Sequence, residues 1–195
     1  CAYARAGVGA VASQNVTDPL LGPVALDLME NGMSAVEAIE HVCQQGKFIE
    51  YSQVLVVDKA GKTAIYSGPN SLGICTQAQG LDVASGGNML ANDRVPQAMV
   101  DSFLASSGHL GDRLISATRA GLAAGGEAGP LHSAGILLVD SVTWPVAELR
   151  CDWTDNCPIE NIATAWEVYK PQLAAYVQRA IDPRDAPSYG VPGDQ

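Results

Sequence analysis

The sequence predicts an α+β fold of stacked antiparallel sheets with helices outside. Three observations carry that reading. Helices come in pairs between groups of strands instead of alternating with them one by one. The strands are short and bounded by glycine-rich turns. The chain is 47% apolar and only 16% charged, the balance of a folded domain rather than a disordered one. Its 195 residues suffice for one substantial core or at most two small ones, and we expect a single domain over residues 1–181 and an extended tail rich in Pro, Gly and Asp over 182–195.

Each element has its own signal. Residues 8–14 read as a buried strand of small residues. Asp18 then reads as an N-cap and Pro19 as the first helical residue, opening a helix through Leu26, Leu28 and Met29 that stops at Asn31-Gly32. Ser34 and Glu37 form a capping-box pattern. It opens a second helix with Val36, Ile39 and Val42 on one face, ending near Gly46. Residues 53–58 and 62–66 flank Lys59-Ala60-Gly61 as a β-hairpin. Residues 73–76 and 81–84 suit short strands, and Ser85-Gly86-Gly87-Asn88 is expected to break into a turn. Residues 96–105 and 110–124 read as helices, the second with Leu114, Ile115, Thr118 and Leu122 at helical spacing. After a loop at 125–130, residues 133–140 and 146–153 read as strands. A final helix spans 158–181, kinked or divided at Pro171. The first strand begins almost at residue 1. A sheet core seldom starts so abruptly, so a preceding segment is expected, cleaved off or supplied separately.

The net charge of −10 argues against nucleic acid and anionic membrane as partners. No run of about 18 apolar residues is present, so no membrane span is expected. The cysteines, at positions 1, 43, 75, 151 and 157, are odd in number and lack CxxC or zinc-ligand spacing. Reduced thiols and a cytoplasmic location are the expectation.

Residue 1 is itself a cysteine. A terminal Cys joins a thiol, with a reference pKa of about 8.5, to an α-amine of about 7.7–8.0. At neutral pH the amine can take the thiol proton, which is the nucleophile-and-base pairing acyl transfer needs. Loss of an initiator Met, or a chain cut from a longer one, leaves the same first residue.

The run from Ala4 to Pro19 resembles the DUF1028 family, as do Gly86-Gly87-Asn88-Met89-Leu90, Gly125 through Ala134, Trp144-Pro145-Val146 and Ser188 through Asp194. The resemblance extends along nearly the whole chain. It implies an N-terminal nucleophile (Ntn) hydrolase with a four-layer αββα sandwich, here lacking its first β-hairpin. It also implies a precursor cut before Cys1, with the upstream piece of about 30 residues, room for one hairpin, kept as an α subunit. This chain is then the β subunit, and a dimer of such heterodimers is the expected assembly.

The implied reaction cleaves a C–N bond of a small linear or cyclic amide through a Cys1 thioester. No metal or organic cofactor is expected. The upstream terminal Thr is the other possible nucleophile, with Cys1 then only a processing site, and a non-catalytic binding or assembly protein is the third reading. Asn88 is read as an oxyanion donor or a turn residue. Asn15 is read as orienting the amine or substrate. Asp18 is read as a catalytic neighbour or a helix cap. Arg5 and Thr17 are read as substrate contacts, Arg5 alternatively as a surface ion pair. Glu127 and His132 flank the glycine-rich loop, His132 as acid or base or as a structural residue.

Overall fold

The computed structural model describes residues 1–16 and 18–190. The expected first strand is a hairpin: β1 (Ala2–Arg5) pairs antiparallel with β2 (Gly9–Asn15), in register Ala2 with Ala12 and Arg5 with Gly9. β1 escapes a pattern reading because it is four residues long and carries Tyr3 and Arg5. Two helices follow, α1 (Leu21–Glu30) and α2 (Ala35–Gln45). Asp18 is not the N-cap of α1. Its carboxylate accepts the Leu20 N–H at 2.9 Å and its carbonyl the Leu21 N–H at 3.2 Å, so it shapes the turn before the helix, and Leu20 stands at the cap position. The capping box of α2 forms as expected: Ser34 accepts from the Glu37 N–H, and the Glu37 carboxylate accepts from the Ser34 N–H. Those contacts hold the Glu37 carboxyl below its ordinary range.

The expected hairpin is present as β3 (Ser52–Asp58) and β4 (Thr63–Ser67). It extends the first pair into a four-stranded antiparallel sheet of order β1-β2-β3-β4. The next pair is longer than expected: β5 (Ile74–Gly80) and β6 (Val83–Leu90). Ser85-Gly86-Gly87-Asn88 is not a turn but the middle of β6. The glycines serve close approach instead of chain reversal. A Cβ on Gly86 would lie 3.0 Å from Leu55 and 3.1 Å from Gln53, because β6 packs face-on against β3.

The remaining elements are α3 (Val95–Ala105), α4 (Leu110–Ala123), β7 (Ala134–Leu138) and β8 (Ala147–Cys151), then α5 (Pro158–Tyr169) and α6 (Leu173–Ile181). The last two are separated by a short 3-10 turn containing Pro171, where the sequence places a kink. A further 3-10 turn at Pro183–Asp185 begins the tail, and residues 191–195 lie outside the described part.

α1 and α2 cover one face of the four-stranded sheet, burying Val11, Leu26, Met29, Ile39, Val42 and Val54. β6 lies across from β3, β5 from β4, and β7 from β1. α3 packs outside β5 and β6, while α4 and α5 pack on β7. A second core gathers around the fully buried Trp166 with Ile115, Leu138, Val146 and Ala163. The Trp166 ring N–H donates to Asp112 at 2.8 Å, and Lys170 donates to the other carboxylate oxygen at 2.6 Å. No helix among the described residues is long and apolar enough to cross a membrane.

Candidate functional site

The expected residues converge best where β2 and β6 end. Asn15, the last residue of β2, sits in the left-handed region at φ 68°, a conformation Asn tolerates better than most residues. The side chain it projects there ties three segments together. Its amide donates to the Tyr51 carbonyl before β3, and its Oδ1 accepts the Leu72 N–H at 3.2 Å and the Asn88 amide at 3.1 Å. Asn88 thus spends one amide hydrogen on Asn15. Its other hydrogen and its Oδ1 have no hydrogen-bond partner among the described residues.

Gln14, one residue earlier on β2, faces the neighbouring sheet. Both its amide hydrogens are used, one on Gln53 at 2.7 Å and one on the Gly86 carbonyl at 3.3 Å. Its Oε1 remains as an acceptor. Gln53 is fully buried and is Gln14's register partner on β3. Its amide donates to Ser67, Thr76 and the Cys75 sulfur at 2.9, 3.2 and 3.4 Å. Ser67 passes the chain of bonds on to Gln77 at 2.6 Å. This network fixes the Gln14 rotamer from beneath. The sequence reading missed Gln14 and Gln53. Their signal is a lone Gln at the same phase at one end of two otherwise apolar or small-residue strands that pair.

Glu127 joins the same place from the glycine-rich loop. The Ala91 N–H bonds to Gly126 at 3.0 Å and the Ala128 N–H to Met89 at 2.8 Å, laying residues 126–128 beside the end of β6. Gln14, Asn88 and Glu127 together line an open cleft of about 330 Å³ with Met99 and Leu122 behind. It offers one free amide donor, two amide acceptors and a carboxylate on an apolar floor.

The other expected residues lie elsewhere. Cys1 is exposed, and its carbonyl accepts the Ser13 N–H at 2.9 Å. It lines a different cavity, about 370 Å³, against β7 and β8. Arg5 spans two carboxylates of α1, Asp27 at 2.8 Å and Glu30 at 2.5 Å, which hold its guanidinium firmly charged. This geometry is the surface ion pair. The His132 ring stacks on Trp153 at 4.1 Å, with Nδ1 2.9 Å from the Thr154 carbonyl. Asp18 makes its turn contacts and lines none of these cavities. Thr17 lies outside the described residues. All five thiols are free. Among the described residues no three His, Cys, Asp or Glu side chains gather as a metal site would require.

A mixed α+β chain of small antiparallel sheets with an amide-lined cleft between them is the class that fold and site define. The chain belongs to the DUF1028 family, a family of unknown function, whose sequence profile matches residues 1–162. It is similar to the crystal structure of a DUF1028 protein from Silicibacter pomeroyi, with 26% identity and a TM-score of 0.82 over 91% of this chain and 77% of that one. Comparison with curated proteins returned no match.

Proposed function

We propose that the chain is the main body of an Ntn-type amidohydrolase that cleaves the C–N bond of a small linear or cyclic amide. In this reading the helix pairs outside two β layers are the four-layer αββα sandwich of that superfamily, and the cleft at the end of β6 is the reaction centre. One observation carries it. Asn88, clamped by Asn15, keeps a free amide hydrogen, and it lines the cleft together with Gln14, whose carbonyl oxygen is free. An amide substrate presents the complementary pair, a carbonyl acceptor and an N–H donor. As the carbonyl becomes an oxyanion the Asn88 donor strengthens its bond, an effect worth about 2.7–4 kcal/mol where such a donor has been removed.

The nucleophile this chain carries is the Cys1 thiol. Its thiolate attacks the carbonyl carbon, the α-ammonium gives its proton to the leaving amine as the C–N bond breaks, and water hydrolyses the thioester, restoring the thiol. A second reading has a specific observation in its favour: Cys1 and Asn88 line separate cavities, as expected if another segment brings the nucleophile to the cleft.

Hydrolysis of a panel of small primary amides and lactams by Cys1→Ala and Asn88→Ala separates the readings. Loss of activity in both variants supports Cys1 as nucleophile. Loss in Asn88→Ala alone supports a nucleophile from elsewhere. No hydrolysis by the parent protein, with the Cys1 thiol inert to iodoacetamide, overturns the amidohydrolase reading.

A further inference from the structure

The cleft at the end of β6 includes a carboxylate to which the amidohydrolase reading gives no role. Among the described residues that line it, Glu127 is the one that ionises, and neither Lys nor Arg is present. The backbone on both sides of Glu127 is fixed. The Gly126 carbonyl accepts the Ala91 N–H at 3.0 Å, and the Ala128 N–H donates to the Met89 carbonyl at 2.8 Å. Gly126 permits this path because its φ of 62° lies in the left-handed region. The Glu127 side chain makes no ion pair and no hydrogen bond among the described residues. Other carboxylates hold the fold together. Glu37 closes the capping box of α2, and Asp58 accepts the Ala60 and Lys62 N–H groups in the hairpin turn at 2.9 and 3.0 Å. Glu127 does nothing of that kind.

The side chains that line the cleft are one-sided in what they leave unspent. One N–H of Asn88 stands against the Oδ1 of Asn88, the Oε1 of Gln14 and both carboxylate oxygens of Glu127. The Thr118 hydroxyl is spent inside α4, on the Leu114 and Ile115 carbonyls at 3.2 and 2.9 Å. A ligand that complements this set is rich in N–H donors, offers one carbonyl acceptor and carries positive charge. An anionic ligand meets the carboxylate with a single side-chain donor to offset it. A neutral amide leaves Glu127 to water. A bare calcium ion takes about six to eight oxygen ligands and leaves the wall of Met99, Leu122, Leu131 and Ile159 uncovered. An alkyl stretch between carbonyl and cation covers that wall.

We propose that the cleft selects a small carboxamide that also carries a protonated amine, amidine or guanidine, joined to the amide by a short apolar stretch. Glu127 is its specificity-determining residue. The carboxylate takes the cation in a charge-assisted hydrogen bond, while Asn88 takes the carbonyl oxygen and Gln14 an amide N–H. The proposal rests on the amidohydrolase reading for the site and adds the charge of the substrate.

The test compares three amides with the same methylene chain: δ-aminovaleramide ends in an ammonium, hexanamide in a methyl and adipamate in a carboxylate. Binding to the full chain is read from the side-chain amide NMR signals of Gln14 and Asn88. The expected result is that δ-aminovaleramide binds about fivefold tighter than hexanamide, the upper end for a solvent-exposed ion pair, and by a wider margin than adipamate. Glu127→Gln brings the three within about twofold of one another. Glu40→Gln removes a charge from α2, on the far side of the four-stranded sheet, and keeps the order; this separates Glu127 from the −10 charge of the whole chain. In the parent the preference shrinks as sodium chloride is raised, a readout that needs no variant. Equal affinity for δ-aminovaleramide and hexanamide, a preference indifferent to salt, or the same loss in Glu40→Gln overturns the proposal. So does a response to calcium chloride with none to the amides. Ammonia release is followed separately. Preference in binding without ammonia release keeps the ligand class and sinks the amidohydrolase reading. Equal release from δ-aminovaleramide and hexanamide keeps that reading and sinks this proposal.

Discussion

Replacing Asn15 tests the clamp that positions Asn88. Asn15→Ala removes three hydrogen bonds, to Tyr51, Leu72 and Asn88. The net worth of such a bond is about 0.5–1.5 kcal/mol. These sit partly in reach of solvent, so the low end applies and the three together are worth about 1.5 kcal/mol. Ala also lacks the tolerance of Asn for the left-handed backbone at φ 68°, which adds about 1 kcal/mol. The expected loss is then about 2.5 kcal/mol, a fall in Tm of about 5–10 °C for a chain of this size. Asn15→Gly separates the two contributions. It loses the same bonds but not the backbone strain, and gives back about 0.4–1 kcal/mol through the freer unfolded chain. It should therefore be equal to Ala or up to about 0.5 kcal/mol more stable. Urea unfolding of the three proteins, with equal m-values as the check on two-state behaviour, reads these differences. A loss below about 0.5 kcal/mol for Asn15→Ala, within the range of an unremarkable surface change, refutes the view that Asn15 holds the ends of β2 and β6 together.

Two further outcomes follow from the helical half. Gly111→Ala in the first turn of α4 should destabilise by about 1–3 kcal/mol by overpacking, although Gly to Ala within a helix ordinarily gains about 1. The added Cβ lands 2.5 Å from the ring of Trp166, which is fully buried and bonded to Asp112; a rise in the urea midpoint contradicts this packing. Asp112→Asn should lower stability at neutral pH while keeping the Trp166 bond. The Lys170 hydrogen bond, with help from Trp166, holds the Asp112 carboxyl below its ordinary range. A depressed carboxyl contributes above its unfolded value and loses that contribution as pH falls through the folded one. The gap between variant and parent should therefore shrink as pH drops below about 4; a gap constant from neutral pH to strong acid removes the ion pair from the account.

Local chemistry made part of the fold legible. The Ser34/Glu37 box, the 59–61 turn and the Pro171 break each act over a few residues, and each stands where the sequence puts it. What failed to show was set by contacts between distant residues. β1 is too short to carry a period, and its pairing with β2 is what makes it a strand. Ser85-Gly86-Gly87-Asn88 has the composition of a turn. It stays extended because β5 pairs with residues 85–87, and the small residue suits the place because a Cβ on Gly86 would lie 3.0 Å from Leu55 and 3.1 Å from Gln53. Nothing within those four residues records that approach.

The site divides along the same line. Asn15, Asn88 and Glu127 stand out as polar residues at element ends; Asn88 and Glu127 line one cleft, and Asn15 bonds to Asn88 beside it. Arg5 stands out for the same reason, yet its guanidinium is occupied by Asp27 and Glu30, one helical turn apart on α1. A pattern of residue types shows which groups can do chemistry but not which already have partners. The test of a site residue is therefore what remains unspent. In the sequence Gln14 reads as an ordinary strand residue. Its two donors are consumed on Gln53 and Gly86, which fixes the rotamer of a side chain that lines the cleft and leaves its carbonyl oxygen unspent. Asn88 keeps a donor as well as an acceptor, both held in place by its bond to Asn15. The pair forms a fixed acceptor and a fixed donor that no single segment of the sequence contains.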